Sequence, residues 1–192
     1  MGLQWGQGMA DLAGRKVAYY GFTGMIEPQN AGKLAAAINV ALNNNFDEVY
    51  LCFSSLGGYV ADGIYLYNHI RSLPIAVTIH NTGSVSSIAV AIFAGAETRF
   101  CSPHAMFMIH PTAFPTGENM TSVQAQAVLD AALADDLRTE NILRERADIP
   151  EDTLTARRTR DVHITPQQAL DYGLVHGVRE FSLPRGNQII QI

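Results

Sequence analysis

Short apolar runs alternate with longer amphipathic stretches along the first half of this chain. Runs of this kind are typical of buried strands, and apolar residues that recur every three to four positions are typical of helices. The pattern predicts strands at 16–22, 48–53 and 75–79, and helices at 30–43, 60–72 and 88–94. Because neighbouring parallel strands need a long connection that packs back on the sheet, this alternation indicates a largely parallel sheet with helical crossovers.

The second half of the chain combines shorter elements with one long helix. The pattern predicts strands at 98–101, 106–109 and 175–181, a helix at about 121–147, a short helix at 150–158, and a helix capped by Thr165 that runs to residue 171. The long helix carries an apolar stripe formed by Val123, Ala127, Leu129, Leu133, Leu137, Ile142 and Leu143. The last six residues, NQIIQI at 187–192, are apolar enough either for a terminal strand or for packing against another subunit.

Composition favours a globular protein with one sizeable core, since 47% of the 192 residues are hydrophobic and 16% are charged. We expect a single domain at 16–192 behind a flexible N-terminal arm at 1–15. The net charge of -5 and the pI near 5.6 provide no basic surface for nucleic acid. The longest apolar run, 88–96, is too short to cross a bilayer. Because Cys52 and Cys101 lie in apolar stretches, we expect free thiols and a cytoplasmic protein.

Three serines lie between the predicted strand at 75–79 and the predicted buried helix at 88–94. They are Ser84, Ser86 and Ser87. At a helix start, unpaired N–H groups and the positive end of the helix dipole favour negative charge, which suits an oxyanion or an activated hydroxyl. Serines at such a junction are also common as ordinary turn and N-cap residues, so this stretch alone leaves both interpretations open.

Further candidate residues lie at the ends of predicted elements. Gly57-Gly58 follows a strand, where backbone N–H groups can approach a ligand closely. His110 ends another strand directly before Pro111, and Asp161 follows a basic run. The histidines form no helical pair and neither cysteine has a partner at metal-ligand spacing, so we expect no metal. A P-loop and a GxGxxG motif are absent from the sequence, so we expect no cofactor, and acyl chemistry remains.

Five sequence blocks match a known family in their order and spacing. They are S-S-L-G-G at 54–58, G-S-V-S-S-I at 83–88, R-F-C-S-P at 99–103, M-I-H-P at 108–111 and A-L-D-Y-G-L-V at 169–175. From about residue 16 to residue 178, the chain resembles the ClpP family, the proteolytic subunits of the ATP-dependent Clp protease.

This resemblance implies a serine endopeptidase and assigns its site residues. The family's nucleophile falls on Ser87, its general base on His110, and the acid that orients the base on Asp161. The oxyanion hole falls on the N–H groups of Gly58 and Ile88. These roles agree with the positions of Ser87 at a helix start and of Gly58 after a strand.

The resemblance also implies an α/β fold of the ClpP/crotonase-like type, a spiral of repeated β-β-α units with a protruding long helix. We expect a homo-oligomer of stacked heptameric rings that hydrolyses unfolded polypeptides inside a closed chamber and is fed by an AAA+ unfoldase. Four features depart from the family pattern: Leu56 replaces a proline, Ser84 replaces a glutamine after Gly83, Pro115 interrupts the strand after the histidine, and the N-terminal arm lacks the apolar axial-loop sequence. Docking to an ATPase therefore stays open.

Two other functions share part of this pattern. An acyl-CoA enzyme of the crotonase superfamily also uses a glycine-assisted oxyanion hole, but it does not need Ser87, His110 and Asp161 together. A non-catalytic ClpP-like ring subunit that regulates an active partner would share the fold, but it has no need of an intact triad.

Overall fold

A computed structural model describes residues 14–114 and 119–192 of the chain. Within these residues it contains eight strands and six helices. The strands are β1 (Val17–Thr23), β2 (Glu48–Ser55), β3 (Ala76–Ser86), β4 (Thr98–Cys101), β5 (Met106–Ile109), β6 (Val162–Ile164), β7 (Gly177–Val178) and β8 (Ile189–Gln191). The helices are α1 (Pro28–Asn43), α2 (Val60–Ser72), α3 (Ile88–Gly95), α4 (Ser122–Arg146), α5 (Glu151–Ala156) and α6 (Pro166–Asp171).

All eight strands belong to one sheet, in the order β6-β5-β3-β2-β1-β8, with β4 and β7 on a branch from β3. Every pairing is parallel except that of β5 with β6. The predicted parallel sheet with helical crossovers is thus confirmed, since α1 links β1 to β2 and α2 links β2 to β3. The described part of the chain is a mixed α/β structure, as expected. The predicted N-terminal arm at 1–15 lies outside the described residues except for 14 and 15, and Pro115 lies outside them.

Strand β3 is longer than the sequence pattern predicted. The expected break at 81–83 is absent, and the strand continues through Ser86. The Asn81 side chain explains the difference, because it accepts a hydrogen bond from Gly83 N–H and donates one to the carbonyl of Met106, both at 3.0 Å. These bonds satisfy polar groups that would otherwise favour a turn. The first half of β3 pairs with β4 and its last three residues pair with β5.

Near the C-terminus the prediction of a strand at 175–181 is wrong, since only β7, two residues long, is extended there. Phe181 instead packs its ring against those of Tyr50 and His80, at centroid distances of 5.3 and 6.0 Å. Strand β6 was not predicted. The C-terminal segment does form a strand, and β8 pairs with β1 of the same chain through Tyr19 and Ile189.

Helix α3 is the centre of the core, because all eight of its residues are buried. Phe93 on this helix packs edge-to-face against Phe107 of β5, with ring centroids 5.0 Å apart. Helix α4 contacts the core mainly through Ile142 and Leu143 near its C-terminal end. In its N-terminal half Ala132 is buried, but the larger side chains of Val123, Leu129 and Leu133 are exposed. None of the helices in the described residues is both long and apolar enough to span a membrane.

Candidate active site

Ser87 lies between the end of β3 and the first residue of α3. Its backbone adopts φ 58° and ψ -134°, a conformation that costs a non-glycine residue about 1–3 kcal/mol. Two features hold it there: its N–H donates to the carbonyl of Met108 at 2.8 Å, and the helix that follows is wholly buried. The serine is therefore fixed at a sharp strand-to-helix turn, and its half-buried side chain lines a cavity.

This cavity, which we call the Ser87 cavity, has a volume of about 230 Å³. One part of its wall is apolar and another part carries hydroxyl and guanidinium groups. The lining residues are Leu56, Gly58, Val60, Ser87, Ile88, Ile109, His110, Thr112, Ala113, Thr139 and Arg157. Four of the five residues assigned from the family resemblance thus line one cavity.

The loop of Gly57 and Gly58 forms one side of the Ser87 cavity. It is fixed to Ile26 by two backbone hydrogen bonds, from Ile26 N–H to the Gly57 carbonyl at 2.8 Å and from Tyr59 N–H to the Ile26 carbonyl at 2.7 Å. A Cβ atom on Gly58 would overlap the Ile26 carbonyl oxygen, and one on Gly57 would lie 2.6 Å from Ser87 Cβ. Both positions therefore require glycine.

The backbone at the cavity offers hydrogen-bond donors close to Ser87. No described residue accepts a hydrogen bond from Gly58 N–H. Ile88 is the first residue of α3, so its N–H has no partner inside the helix, and the positive end of the helix dipole lies at the same place. An anionic oxygen that formed beside Ser87 would be stabilised by these groups.

His110 follows β5 directly, and Asp161 directly precedes β6. In the antiparallel pairing of these strands Ile109 lies opposite Val162, so continuation of the same register places Asp161 across from His110. Asp161 is exposed and lines a separate cavity of about 380 Å³. Among the described residues, no hydrogen bond joins the Ser87 hydroxyl to the His110 ring, or that ring to the Asp161 carboxylate. The structure therefore brings Ser87 and His110 to one cavity, whereas Asp161 lines a different one.

The other serines of this stretch and the two cysteines are in different environments. Ser84 and Ser86 belong to β3 and pair with β5, so they are strand residues and not the turn residues that the sequence also allowed. Cys101 is buried and Cys52 is partly buried, and both are free thiols. Burial raises the pKa of each thiol to about 11, which leaves both protonated at neutral pH.

Sequence reasoning missed a group of charged residues beside the cavity. Arg157 is only 2% exposed, and its Nη2 donates to the His110 carbonyl at 3.1 Å and to Asp136 Oδ1 at 2.9 Å. In the sequence Arg157 belongs to the basic run that precedes Asp161. The available signal was its spacing, because Arg157 follows the buried Leu154 by three positions and so lies on the same face of α5.

A hydroxyl at the start of a buried helix, unpaired backbone donors beside it and a histidine in the same cavity are typical of hydrolases that act through a serine. Comparison with known proteins identifies the family. Residues 15–181 match the family model described as Clp protease, so the chain belongs to the Clp protease family.

Individual relatives are distant but cover most of the chain. The ATP-dependent Clp protease proteolytic subunit of Paracoccus denitrificans is 31% identical over 139 residues, 71% of this chain and 69% of that protein. Subunit 2 of Pseudomonas aeruginosa is 24% identical over 84% of this chain and 83% of that protein. Subunit 1 of Leifsonia xyli is 27% identical over 82% of this chain and 81% of that protein.

Proposed function

We propose that this protein is a serine endopeptidase of the ATP-dependent Clp type, with Ser87 as nucleophile, His110 as general base and Asp161 as the residue that orients His110. The observation that carries this proposal is the backbone of Ser87. A serine held at positive φ, at the start of a buried helix and in one cavity with His110, has no evident structural purpose that would offset its strain.

Peptide hydrolysis at this site follows from the positions of the groups. His110 takes the proton of the Ser87 hydroxyl as the oxygen attacks the scissile carbonyl carbon, and the Gly58 and Ile88 N–H groups hold the resulting oxyanion. His110 then gives the proton to the leaving amine, and the acyl part of the substrate is left as an ester on Ser87. A water molecule, deprotonated by His110, attacks this ester and releases the second product.

The exposed half of α4 supports assembly with further copies of the chain. Val123, Leu133 and Leu137 on this helix are 77%, 56% and 58% exposed, although all three belong to the predicted apolar stripe. Large apolar side chains in a continuous exposed row are typical of a surface that another chain covers. We propose that this row packs against second copies in stacked rings that enclose a chamber, as the family resemblance implies.

In this proposal, assembly and substrate binding bring the three catalytic groups into hydrogen-bond contact. Catalytic hydrogen bonds are commonly long or absent before substrate binds, and here the His110 segment is connected to α4 through Asp136. Feeding by an AAA+ unfoldase belongs to the proposal, and its support is the "ATP-dependent" description of the relatives. Unfolded polypeptides are the proposed substrates.

Hydrolysis of a fluorogenic peptide and of an unfolded protein such as casein tests the proposal. The parent protein should cleave both, Ser87→Ala should cleave neither, and Ser84→Ala should retain most of the parent activity. Ser84 is a suitable control because it lies only three residues away, in β3. A folded, assembled parent that cleaves neither substrate would refute the peptidase and favour a non-catalytic ring subunit. Binding of an acyl-CoA would favour the crotonase-type alternative.

A further inference from the structure

Arg157, at the C-terminal end of α5, is a fully buried guanidinium that the catalytic steps above do not use. Its Nη2 carries two N–H groups, which donate to the His110 carbonyl at 3.1 Å and to Asp136 Oδ1 at 2.9 Å. Its Nη1 donates to Glu140 Oε2 at 3.3 Å. A planar guanidinium can serve three acceptors in fixed directions, whereas a lysine ammonium presents one point of charge.

Asp136, which accepts a hydrogen bond from Arg157, also holds the segment that follows His110. Asp136 Oδ1 accepts hydrogen bonds from the backbone N–H of Thr112 at 2.8 Å and from its hydroxyl at 2.9 Å. Arg157 therefore contacts the chain at His110 directly and at Thr112 through Asp136. The backbone on both sides of Pro111 is fixed to α4 and α5 by one buried group.

Glu140 balances the charge of this group and connects it to a second arginine. Arg158 binds Glu140 at 2.6 Å, but it is 53% exposed and makes no contact with 110–112. Burial by itself raises the pKa of Glu140, but hydrogen bonds from Arg158 and Arg144 outweigh it and lower this pKa below its usual value. Glu140 is thus ionised at neutral pH. Arg157 and Arg158 share this carboxylate and differ in their contact with the His110 segment.

We infer that Arg157 is a positioning residue for the hydrolysis proposed above, on which this inference rests: it holds the main chain of His110 and Thr112 so that the imidazole is aimed at Ser87. Arg157 acts through His110 and takes no proton itself. Displacement of a catalytic group by about 1 Å can lower a rate about 100-fold, so loss of this contact should reduce turnover strongly. Substrate affinity should change little.

The test compares Arg157→Met with Arg157→Lys and with the matched control Arg158→Met. We expect Arg157→Met to lower kcat for a small peptide about 100-fold with little change in KM. The kcat of Arg157→Lys should lie between that of Arg157→Met and that of the parent, because lysine retains the charge but lacks the planar guanidinium. Arg158→Met should stay close to the parent. Thermal unfolding of each variant shows whether it is folded.

A second measurement separates positioning from general stability. The rate of covalent labelling by a fluorophosphonate is determined for the parent, Arg157→Lys, His110→Ala and the double variant. If Arg157 acts through His110, Arg157→Lys slows labelling in the parent but adds nothing in the His110→Ala protein. Equal loss of labelling in both backgrounds, or equal loss of kcat in Arg158→Met, would overturn the inference. Because this comparison uses Arg157→Lys, it tests the positioning role even if Arg157→Met fails to fold.

The two proposals also fail in different ways. A parent protein that neither labels nor hydrolyses peptide refutes the proposed peptidase and this inference with it. A parent that labels at Ser87, with Arg157→Lys and Arg157→Met as active as the parent, refutes the positioning role alone.

Discussion

Substitution of Gly58 by alanine tests the proposed oxyanion hole. The added Cβ would overlap the carbonyl oxygen of Ile26, which already accepts a hydrogen bond from Tyr59 N–H at 2.7 Å. Because the overlapped atoms belong to the backbone of Ile26, they cannot rotate away. The loop itself must move and carry the Gly58 N–H away from the oxyanion position. Loss of one such donor costs about 3 kcal/mol of transition-state stabilisation, so kcat should fall about 100- to 1,000-fold.

The same substitution should also lower stability. Alanine is strained at φ 154°, and the loop must give up part of its bonding to Ile26, which together cost about 2–3 kcal/mol. Gly32→Ala is the matched control, because its Cβ would meet no atom within 4 Å and Gly32 lies exposed within α1. That change should leave kcat unaltered and raise the free energy of unfolding by up to about 1 kcal/mol.

The assay measures kcat and KM for a fluorogenic peptide together with urea unfolding of the parent and both variants. Folded Gly58→Ala protein with kcat within threefold of the parent would refute the role of the Gly58 N–H. A loss of activity that is fully explained by the unfolded fraction at the assay temperature would refute it as well.

Three further predictions concern assembly, the acid of the triad and acid stability. Leu133→Glu places a charge in the exposed row of α4, so light scattering after size exclusion should show smaller assemblies than the parent forms, and these should hydrolyse peptide more slowly. A fully active parent monomer of 20.9 kDa would contradict the ring. Asp161→Asn should lower kcat about 1,000- to 10,000-fold, because the amide holds His110 in the wrong tautomer, and parent-like activity would show that another residue orients it. Burial, and then the charge of Arg179, lowers the pKa of His80 to about 4, below the ordinary 6.5 of the unfolded chain. As the pH falls, the unfolded state therefore binds the proton first, and about 3 kcal/mol of stability present above pH 6.5 should be lost by pH 4. Denaturant unfolding should show a smaller loss in His80→Asn. An equal loss in the parent and in this variant would contradict the role of His80.

Much of the fold could be predicted because local pattern and packing agree in this chain. Helix α2 and strands β4 and β5 have the predicted bounds, since the buried positions of each recur with the period of its element, every three or four residues in the helix and every second residue in the strands. The errors occur where distant contacts decide the backbone. Strand β3 passes through 81–83 because Asn81 finds partners in the sheet, and β6 is only three residues long and exists because β5 lies beside it.

The candidate site could be predicted in part for the same reasons. The positions of Ser87 and Gly58 follow from a helix start and a glycine pair, which are local features. The contact of Arg157 with His110 joins residues 47 positions apart, so the spacing of Arg157 from Leu154 could indicate its burial but not its partner. The exposure of Leu133 could not be predicted from the sequence either, because an apolar stripe that packs on its own domain and one that packs on another chain have the same periodicity.

Covalent labelling identifies the nucleophile, on which the proposed peptidase depends. The assembled parent protein is treated with a fluorophosphonate, digested and analysed by mass spectrometry to find the modified residue. We expect one adduct per chain on Ser87, and it should form much more slowly in His110→Ala. Absence of an adduct on Ser87 in folded, assembled protein, or modification of Ser84 or Ser86 in its place, would contradict this expectation.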